Sequence, residues 1–258
     1  MAAIFFDIDG TLWDRENRIP DSTKEAIGLL HEKGHLAFLC SGRTRAMIKS
    51  EALLSLGFDG IVGGCGTQLI YRDESLFCHE IDRDLLKRTI GLLNECRMPV
   101  LLEGETYLYM DRDVAENVYG RYIAETLGEY VRPLAGNEDN WRGSKLTALI
   151  QDGDYDRAAA ALAKDFHVLK HGKIVTELVP LGYSKADGIK RMCSYLDIPH
   201  EDTFAFGDSI NDRDMLLYVS CGIAMGNGTD AAKEAADYIT DDIHQNGIYN
   251  GLKHFDLI

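Results

Sequence analysis

The sequence predicts an α/β protein, a doubly wound parallel sheet interrupted by an α+β insert. Three observations predict it. Short, wholly apolar, β-prone runs alternate with helical segments over residues 1–82, as parallel strands buried on both faces require. Helix-then-hairpin signals replace that rhythm over 83–180, marking a separate α+β unit. The first rhythm resumes over 181–258, so the outer stretches share one core and the middle stretch is inserted.

Ile4-Phe5-Phe6 forms the first strand and ends abruptly in Asp7-Ile8-Asp9, where Gly10 permits a sharp turn. Ser22-x-x-Glu25 reads as a capping box opening a helix with Ala26, Ile27, Leu29 and Leu30 that stops at Gly34. Leu36 to Cys40 is a second apolar strand, followed by Ser41-Gly42-Arg43-Thr44 and a helix expected to run through Leu56 to Gly57. Ile61-Val62 makes a third strand before the turn Gly63-Gly64-Cys65-Gly66. In the insert, Asp84 to Arg97, Val114 to Leu127 and Tyr155 to Lys164 read as helices, and Leu146 to Ile150 as a strand. Hairpins are expected at Val100 to Met110 and at Phe166 to Val179, forming an antiparallel sheet covered on one face. Arg132 to Arg142 reads as a dividing loop. The core then returns with a helix at Lys185 to Leu196, strands at Thr203 to Phe206, Gly222 to Met225 and Tyr238 to Thr240, and helices after Asn211 and near Thr229.

Composition narrows the function classes. A chain of 258 residues with 42 acidic and 27 basic side chains carries a formal charge of −15, which disfavours nucleic acid and anionic membranes as partners. A small anionic substrate stays compatible, because a metal and a few cations can reverse the field inside one cleft. The six scattered cysteines lack zinc-ligand spacing and suit reduced core thiols. No signal peptide and no membrane-length apolar run are seen, so a cytoplasmic location is expected. The pattern specifies no oligomeric state.

Four distant segments place polar groups after core strands or at a helix start: Asp7 and Asp9; Ser41, Gly42 and Arg43; Ser184 and Lys185; and Gly207 to Asp212. In a doubly wound sheet strand ends share one edge, so these segments can converge. Asp7, Asp9 and Asp208 are hard oxygen ligands suited to Mg²⁺. Ser41 and the N–H groups around Gly42 can donate to phosphate at a helix N-terminus, and Lys185 adds a compact positive charge. An aspartate can attack phosphorus to form an acyl-phosphate, and a second can shuttle the proton.

In this order, Asp7-Ile8-Asp9-Gly10-Thr11-Leu12, Ser41-Gly42-Arg43, Ser184-Lys185 and Gly207-Asp208-Ser209-x-Asn211-Asp212 resemble motifs one to four of the haloacid dehalogenase (HAD) superfamily. The insert resembles the C2B cap of the Cof-type subfamily, and the likeness covers essentially the whole chain. The resemblance implies a Rossmann-like core (1–82 and 181–258) and a specificity-setting cap (83–180). It implies a Mg²⁺-dependent phosphatase for small phosphorylated metabolites, such as sugar phosphates, nucleotides or cofactor-type phosphates, working through an aspartyl-phosphate. Asp7 becomes the nucleophile, Asp9 the general acid/base, and Ser41 and Lys185 phosphate ligands. Mg²⁺ would sit on the Asp7 side chain, the Asp9 backbone carbonyl and Asp208, with Asp212 a further ligand or an anchor. Asn211 would hold the phosphate or Lys185.

Departures are few. Gly64-Cys65-Gly66-Thr67 stands where the subfamily usually has Asn-Gly, and Asn246-Gly247-Ile248 replaces Asp-Gly-Val in what reads as a surface turn. The insert has one helix–strand pair fewer than expected. Arg43 and Arg45 read as helix-surface residues. Tyr107, Tyr109, Lys145 and Glu177 read as sheet-packing or solvent-facing residues rather than substrate contacts, and the eight histidines as surface or packing residues. Two rival readings differ in product: a phosphomutase would isomerise a sugar phosphate without releasing phosphate, and a non-catalytic phosphometabolite-binding protein would turn nothing over.

Overall fold

A computed structural model of the chain describes residues 1–150 and 153–258. These form two compact units, the first comprising Met1–Gly42, Ser50–Phe77 and Ser184–Ile258, the second Arg43–Lys49 and Cys78–Tyr183.

The first unit begins β1 (Ala3–Phe6), α1 (Asp21–Glu32), β2 (Leu36–Cys40), α2 (Glu51–Leu54) and β3 (Gly60–Gly63). Then come β4 (Gln68–Tyr71) and β5 (Glu74–Cys78), an extension absent from the sequence reading. Arg72 and Asp73, both at positive φ (48° and 65°), turn the chain between them. β4 runs antiparallel to β3 at the sheet margin.

The second unit holds α3 (Arg83–Glu95), β6 (Val100–Glu103), β7 (Leu108–Met110), α4 (Arg112–Glu116), α5 (Val118–Leu127), β8 (Val131–Pro133), β9 (Lys145–Leu149), α6 (Tyr155–Leu162), β10 (Phe166–His171) and β11 (Val175–Pro180). Its sheet order is β10-β11-β9-β6-β7-β8. The chain then returns to the first unit through α7 (Lys185–Tyr195), β12 (Thr203–Gly207), α8 (Arg213–Tyr218), β13 (Cys221–Ala224), α9 (Asp230–Ala235), β14 (Tyr238–Ile239) and α10 (Gly247–His254).

The first sheet has the order β14-β13-β12-β1-β2-β3-β4-β5, with its first six strands parallel. β1 lies between β12 and β2, so the strand order reverses on it, the point where doubly wound sheets open a crevice. Alternate residues of β1 bury opposite ways. Phe5 stacks on Phe38 in the apolar cluster that holds Ile189 and Met192 of α7, while Phe6 stacks on Phe206. Gly251 lets α10 close on Phe206; a Cβ there would lie 2.7 Å from its ring.

Local chemistry moves several boundaries. Ser22 is no cap: α1 starts at Asp21 after Pro20, and the Ser22 hydroxyl is buried without a partner. The helix expected after Ser41 is instead a turn closed by Met47 N–H donating to Thr44 O, followed by the four-residue α2. Ser50 accepts from Leu53 N–H, and such a cap competes with helix continuation. Asn117 (φ −82°, ψ 157°) breaks the expected Val114 to Leu127 helix and caps α5 through Tyr119 N–H. Asn246 (φ 61°) is no mere surface turn, because it starts α10, whose Gly247 and Ile248 are buried.

The second sheet is covered on both faces, not one. Val100 and Leu102 pack with Leu86, Ile90 and Leu93 of α3, while Leu101 packs with Val114 of α4 and Ile123 of α5. β8 overlaps the start of the expected loop and pairs parallel to β7, so the sheet is not purely antiparallel. None of the six cysteines is in a disulfide. Among the described residues no helix is long and apolar enough to cross a membrane.

Candidate active site

Three adjacent strands, β12, β1 and β2, end at one level, since Phe6 is in register with both Phe206 and Leu39. The next residues carry the chemistry: Asp7 after β1, Ser41 after β2 and Asp208 after β12. Asp7, Asp208 and Asp212 each offer a carboxylate oxygen within 4.8 Å of the others. The Lys185 ammonium sits among them, donating to Asp7 Oδ1 and Asp212 Oδ1, both at 2.6 Å.

Helix α7 positions that lysine. Ser184 caps it by accepting from Asp187 N–H at 3.1 Å, and Asp214 accepts from Ala186 N–H at 3.1 Å. Gly66 (φ 81°) lets the turn after β3 lie against this first helical turn. A Cβ on Gly66 would meet Ser184 O at 2.2 Å. The glycine, not the residue before it, is what this approach requires. Gly10 (φ 84°) plays the same part for Asp208, whose Oδ2 would lie 2.4 Å from a Cβ there.

Asp212 is saturated. Its Oδ1 takes Lys185, while its Oδ2 accepts the N–H groups of Asp208 (3.0 Å) and Ser209 (2.9 Å). It therefore fixes the Gly207–Ser209 turn and the ammonium. Asp208 has a lighter set, a long bond from the Thr11 hydroxyl at 3.4 Å.

The charges are unbalanced. Burial, then the neighbouring Asp212, raises the Asp7 carboxyl well above its ordinary range, with Lys185 opposing. The same two causes push Asp208 up to about 7. Burial disfavours the Lys185 charge, but Asp212 and Asp7 outweigh it and raise its pKa. Crowded carboxylates held by one ammonium form an oxygen-only donor set that fits a hard divalent cation.

A family model described as haloacid dehalogenase-like hydrolase matches residues 4–252. The chain belongs to the haloacid dehalogenase-like hydrolase family. This hydrolase is 30% identical to "Putative phosphatase YkrA" of Bacillus subtilis (strain 168), over 99% of its own length and 98% of that protein's. It is 26% identical to the 5-amino-6-(5-phospho-D-ribitylamino)uracil phosphatase YitU of the same organism, over 98% and 96%. Among solved structures, the HAD subclass IIB sugar phosphatase BT4131 superposes with a TM-score of 0.84 at 25% identity, covering 100% of both chains.

Of the residues singled out in the sequence, the hydrolase brings Asp7, Lys185, Asp208 and Asp212 into direct contact or near contact. Ser41 is buried at the end of β2, its N–H donating to Val62 O, with Gly42 following it. The Asp9 carboxylate is exposed and accepts from the indole N–H of Trp13 at 3.0 Å. Asn211 Oδ1 accepts the Ser209 hydroxyl, and Lys185 is held by Asp7 and Asp212; of the two roles expected for Asn211, holding the phosphate or Lys185, these bonds leave the phosphate. Arg45 turns back onto Ile48 O at 2.7 Å instead of lying on a helix. Two partners lie outside the sequence expectations: Trp13, an indole donor four residues after Asp9, and Thr11, inside the first motif, whose hydroxyl donates to Asp208.

Proposed function

We propose that this hydrolase is a Mg²⁺-dependent phosphatase acting on small phosphorylated metabolites. The observation that carries the reading is Lys185 bridging Asp7 and Asp212 beside Asp208, which sets a nucleophile, a cation and a metal-type donor set at one sheet edge. The phosphatase names of the relatives, including the sugar phosphatase and the 5-amino-6-(5-phospho-D-ribitylamino)uracil phosphatase, support the same substrate class.

Mg²⁺ held by Asp7, Asp208 and the Asp9 carbonyl would offset phosphate charge and let the ionised Asp7 approach it. Asp7 attacks phosphorus in line and the ester oxygen leaves. Asp9, on the solvent side of the turn, gives that oxygen its proton, and the phosphoryl group passes to Asp7 as an acyl-phosphate. Asp9, now ionised, takes a proton from the attacking water; phosphate departs and Asp7 is restored. Lys185 holds one Asp7 oxygen and adds positive charge for the transferring group, while Asp212 keeps that ammonium in place. Ser41 and Gly42 supply donors to the phosphate oxygens. The second unit selects the alcohol.

Asp7→Asn tests the reading: phosphate release from p-nitrophenyl phosphate and from a panel of metabolite phosphates falls to background with the circular dichroism spectrum unchanged. Wild-type turnover in that variant refutes it. Isomerised sugar phosphate without phosphate release in the wild type would instead identify a mutase.

A further inference from the structure

The second unit encloses a cavity of about 480 Å³, bounded wholly by its own residues between Cys78 and Ser144. None of them carries the phosphoryl chemistry. Small-molecule sites run from roughly 300 to 1,000 Å³, so the space suits a metabolite. One wall belongs to the face of the second sheet that α3 covers. Tyr109 of β7 packs there with Leu86 and Ile90 of α3, and Arg132 of β8 is in register with Tyr109, so both lie on that face.

The loop after β8 supplies another wall and is tied down at three points. The Tyr109 hydroxyl donates to Asn140 O at 2.6 Å, the Trp141 indole N–H to Leu134 O at 3.0 Å, and Asn137 Nδ2 to Pro133 O at 2.9 Å. The cavity is therefore built before any ligand arrives, and a ligand need not order it.

Charge indicates what it takes. The Arg132 guanidinium lies over the Tyr107 ring, 4.3 Å from its centroid, and its Nη1 donates to the carbonyls of Glu129 and Val131 at 2.8 and 3.0 Å. A ring and two carbonyls fix the plane of the group without neutralising it. Among the described residues no carboxylate pairs with Arg132, and its Nε and Nη2 have no acceptor. The other charges at the cavity are engaged: Arg142 Nε lies 3.5 Å from Glu80 Oε2, and Glu105 reaches the Cys78 thiol. Burial raises the Tyr109 hydroxyl while Arg142 and Arg132 pull it down, so both guanidiniums surround one polar group.

The Nε–Nη2 edge of a guanidinium meets an oxyanion with two parallel hydrogen bonds. A ligand cation would face an uncompensated positive charge, and a neutral ligand would leave the fork without an ionic acceptor. A bare inorganic anion would leave most of the space to water, whereas the Asn140 amide and the Thr106 hydroxyl line it ready to bond a polar body. We propose that this cavity is a second ligand site of the protein, holding a small organic oxyanion, a carboxylate or phosphate carried on a polar metabolite, against the free edge of Arg132. The assignment concerns binding alone and does not depend on the phosphatase reading.

The test uses the full chain in chelator with Trp13→Phe, which leaves Trp141, between the lining residues Asn140 and Arg142, as the only one of two tryptophans. The probes are citrate and 3,4-dihydroxybutylphosphonate, whose carbon–phosphorus bond is not an ester; glycerol and choline are the neutral and cationic controls. Trp141 emission changes saturably with at least one oxyanion and with neither control, and calorimetry gives the Kd. A response to citrate alone assigns a carboxylate, and to the phosphonate alone a phosphate. Arg132→Gln weakens that binding about tenfold or more, and Arg132→Lys does not restore it, because an ammonium lacks the planar fork. Arg142→Gln, at an exposed side chain, weakens it less and decides the matter if the Arg132 variants fail to fold. Asp208→Asn, which would tighten an anion held at the phosphoryl site, leaves the Kd unchanged. No saturable response to either oxyanion, an equal response to a control, binding that survives Arg132→Gln (or Arg142→Gln in its place), or a Kd tightened by Asp208→Asn overturns the proposal.

Discussion

In chelator the stability of this hydrolase is expected to fall as pH rises, and Asp208 sets the size of the effect. Its carboxyl is moved from 3.8 to about 7, first by burial and then by Asp212. The folded state thus holds a proton that the unfolded chain has already released. The associated stability is fully present below pH ~4 and is lost as pH climbs through ~7. The full displacement corresponds to about 4 kcal/mol, and halving it for the solvent that reaches this partly exposed group leaves about 2 kcal/mol. For a chain of this size that is on the order of 4–8 °C in Tm. Asp7 and Glu103, also raised by burial, act in the same direction. His35, whose ring is pushed below 6.5 by burial, acts oppositely, so the comparison with Asp208→Asn isolates the aspartate. The assay is thermal unfolding in chelator from about pH 5.5 to about pH 8. The wild type loses Tm across this range, and Asp208→Asn flattens the slope. Mg²⁺ at about a hundred times its Kd restores about 2.7 kcal/mol at the alkaline end, and far less to the variant. A wild-type Tm indifferent to Mg²⁺ at pH 8, or a slope that Asp208→Asn leaves untouched, refutes the reasoning.

Two other perturbations read the same site. Lys185→Met removes the charge shared by Asp7 and Asp212, both buried, and lowers stability in chelator by about 3–5 kcal/mol in urea titrations; an unchanged midpoint would show those carboxylates to be neutral. Trp13→Phe deletes the donor to Asp9 Oδ1 and, on the proposed mechanism, misplaces the proton given to the leaving oxygen. It slows an alkyl phosphate by about tenfold, while p-nitrophenyl phosphate, whose phenolate leaves unaided, is nearly unaffected; equal slowing of both would make Trp13 merely structural.

The parallel core was legible because its strands are buried on both faces and read as unbroken apolar runs, as Leu36 to Cys40 shows residue for residue. The site was legible because each of its parts follows such a strand or opens a helix, and register carries those parts to one edge. Short polar contacts were harder to see. Ser22 has the side chain of a cap, yet Pro20 before it already sets the entry to α1. Asn117 interrupts a run with helical periodicity because its side chain offers Tyr119 N–H a better acceptor than the next turn does. The β4–β5 turn depends on Arg72 and Asp73 adopting positive φ, which neither residue type announces as glycine would.

The roles of the aspartates separate by partner rather than by sequence. Asp7, Asp208 and Asp212 are the same side chain within one small volume, yet Asp212 has both oxygens filled by Lys185 and by the Gly207–Ser209 turn. A ligand so fully occupied would have to give up backbone donors to bind a cation, whereas Asp208, with only a 3.4 Å bond from Thr11, gives up little. On the proposed mechanism this occupancy suits Asp212 to the anchor role, ordering Lys185 and the turn that carries Asp208. The sequence leaves ligand and anchor open because both roles ask for the same residue, and the donors around each oxygen favour the anchor.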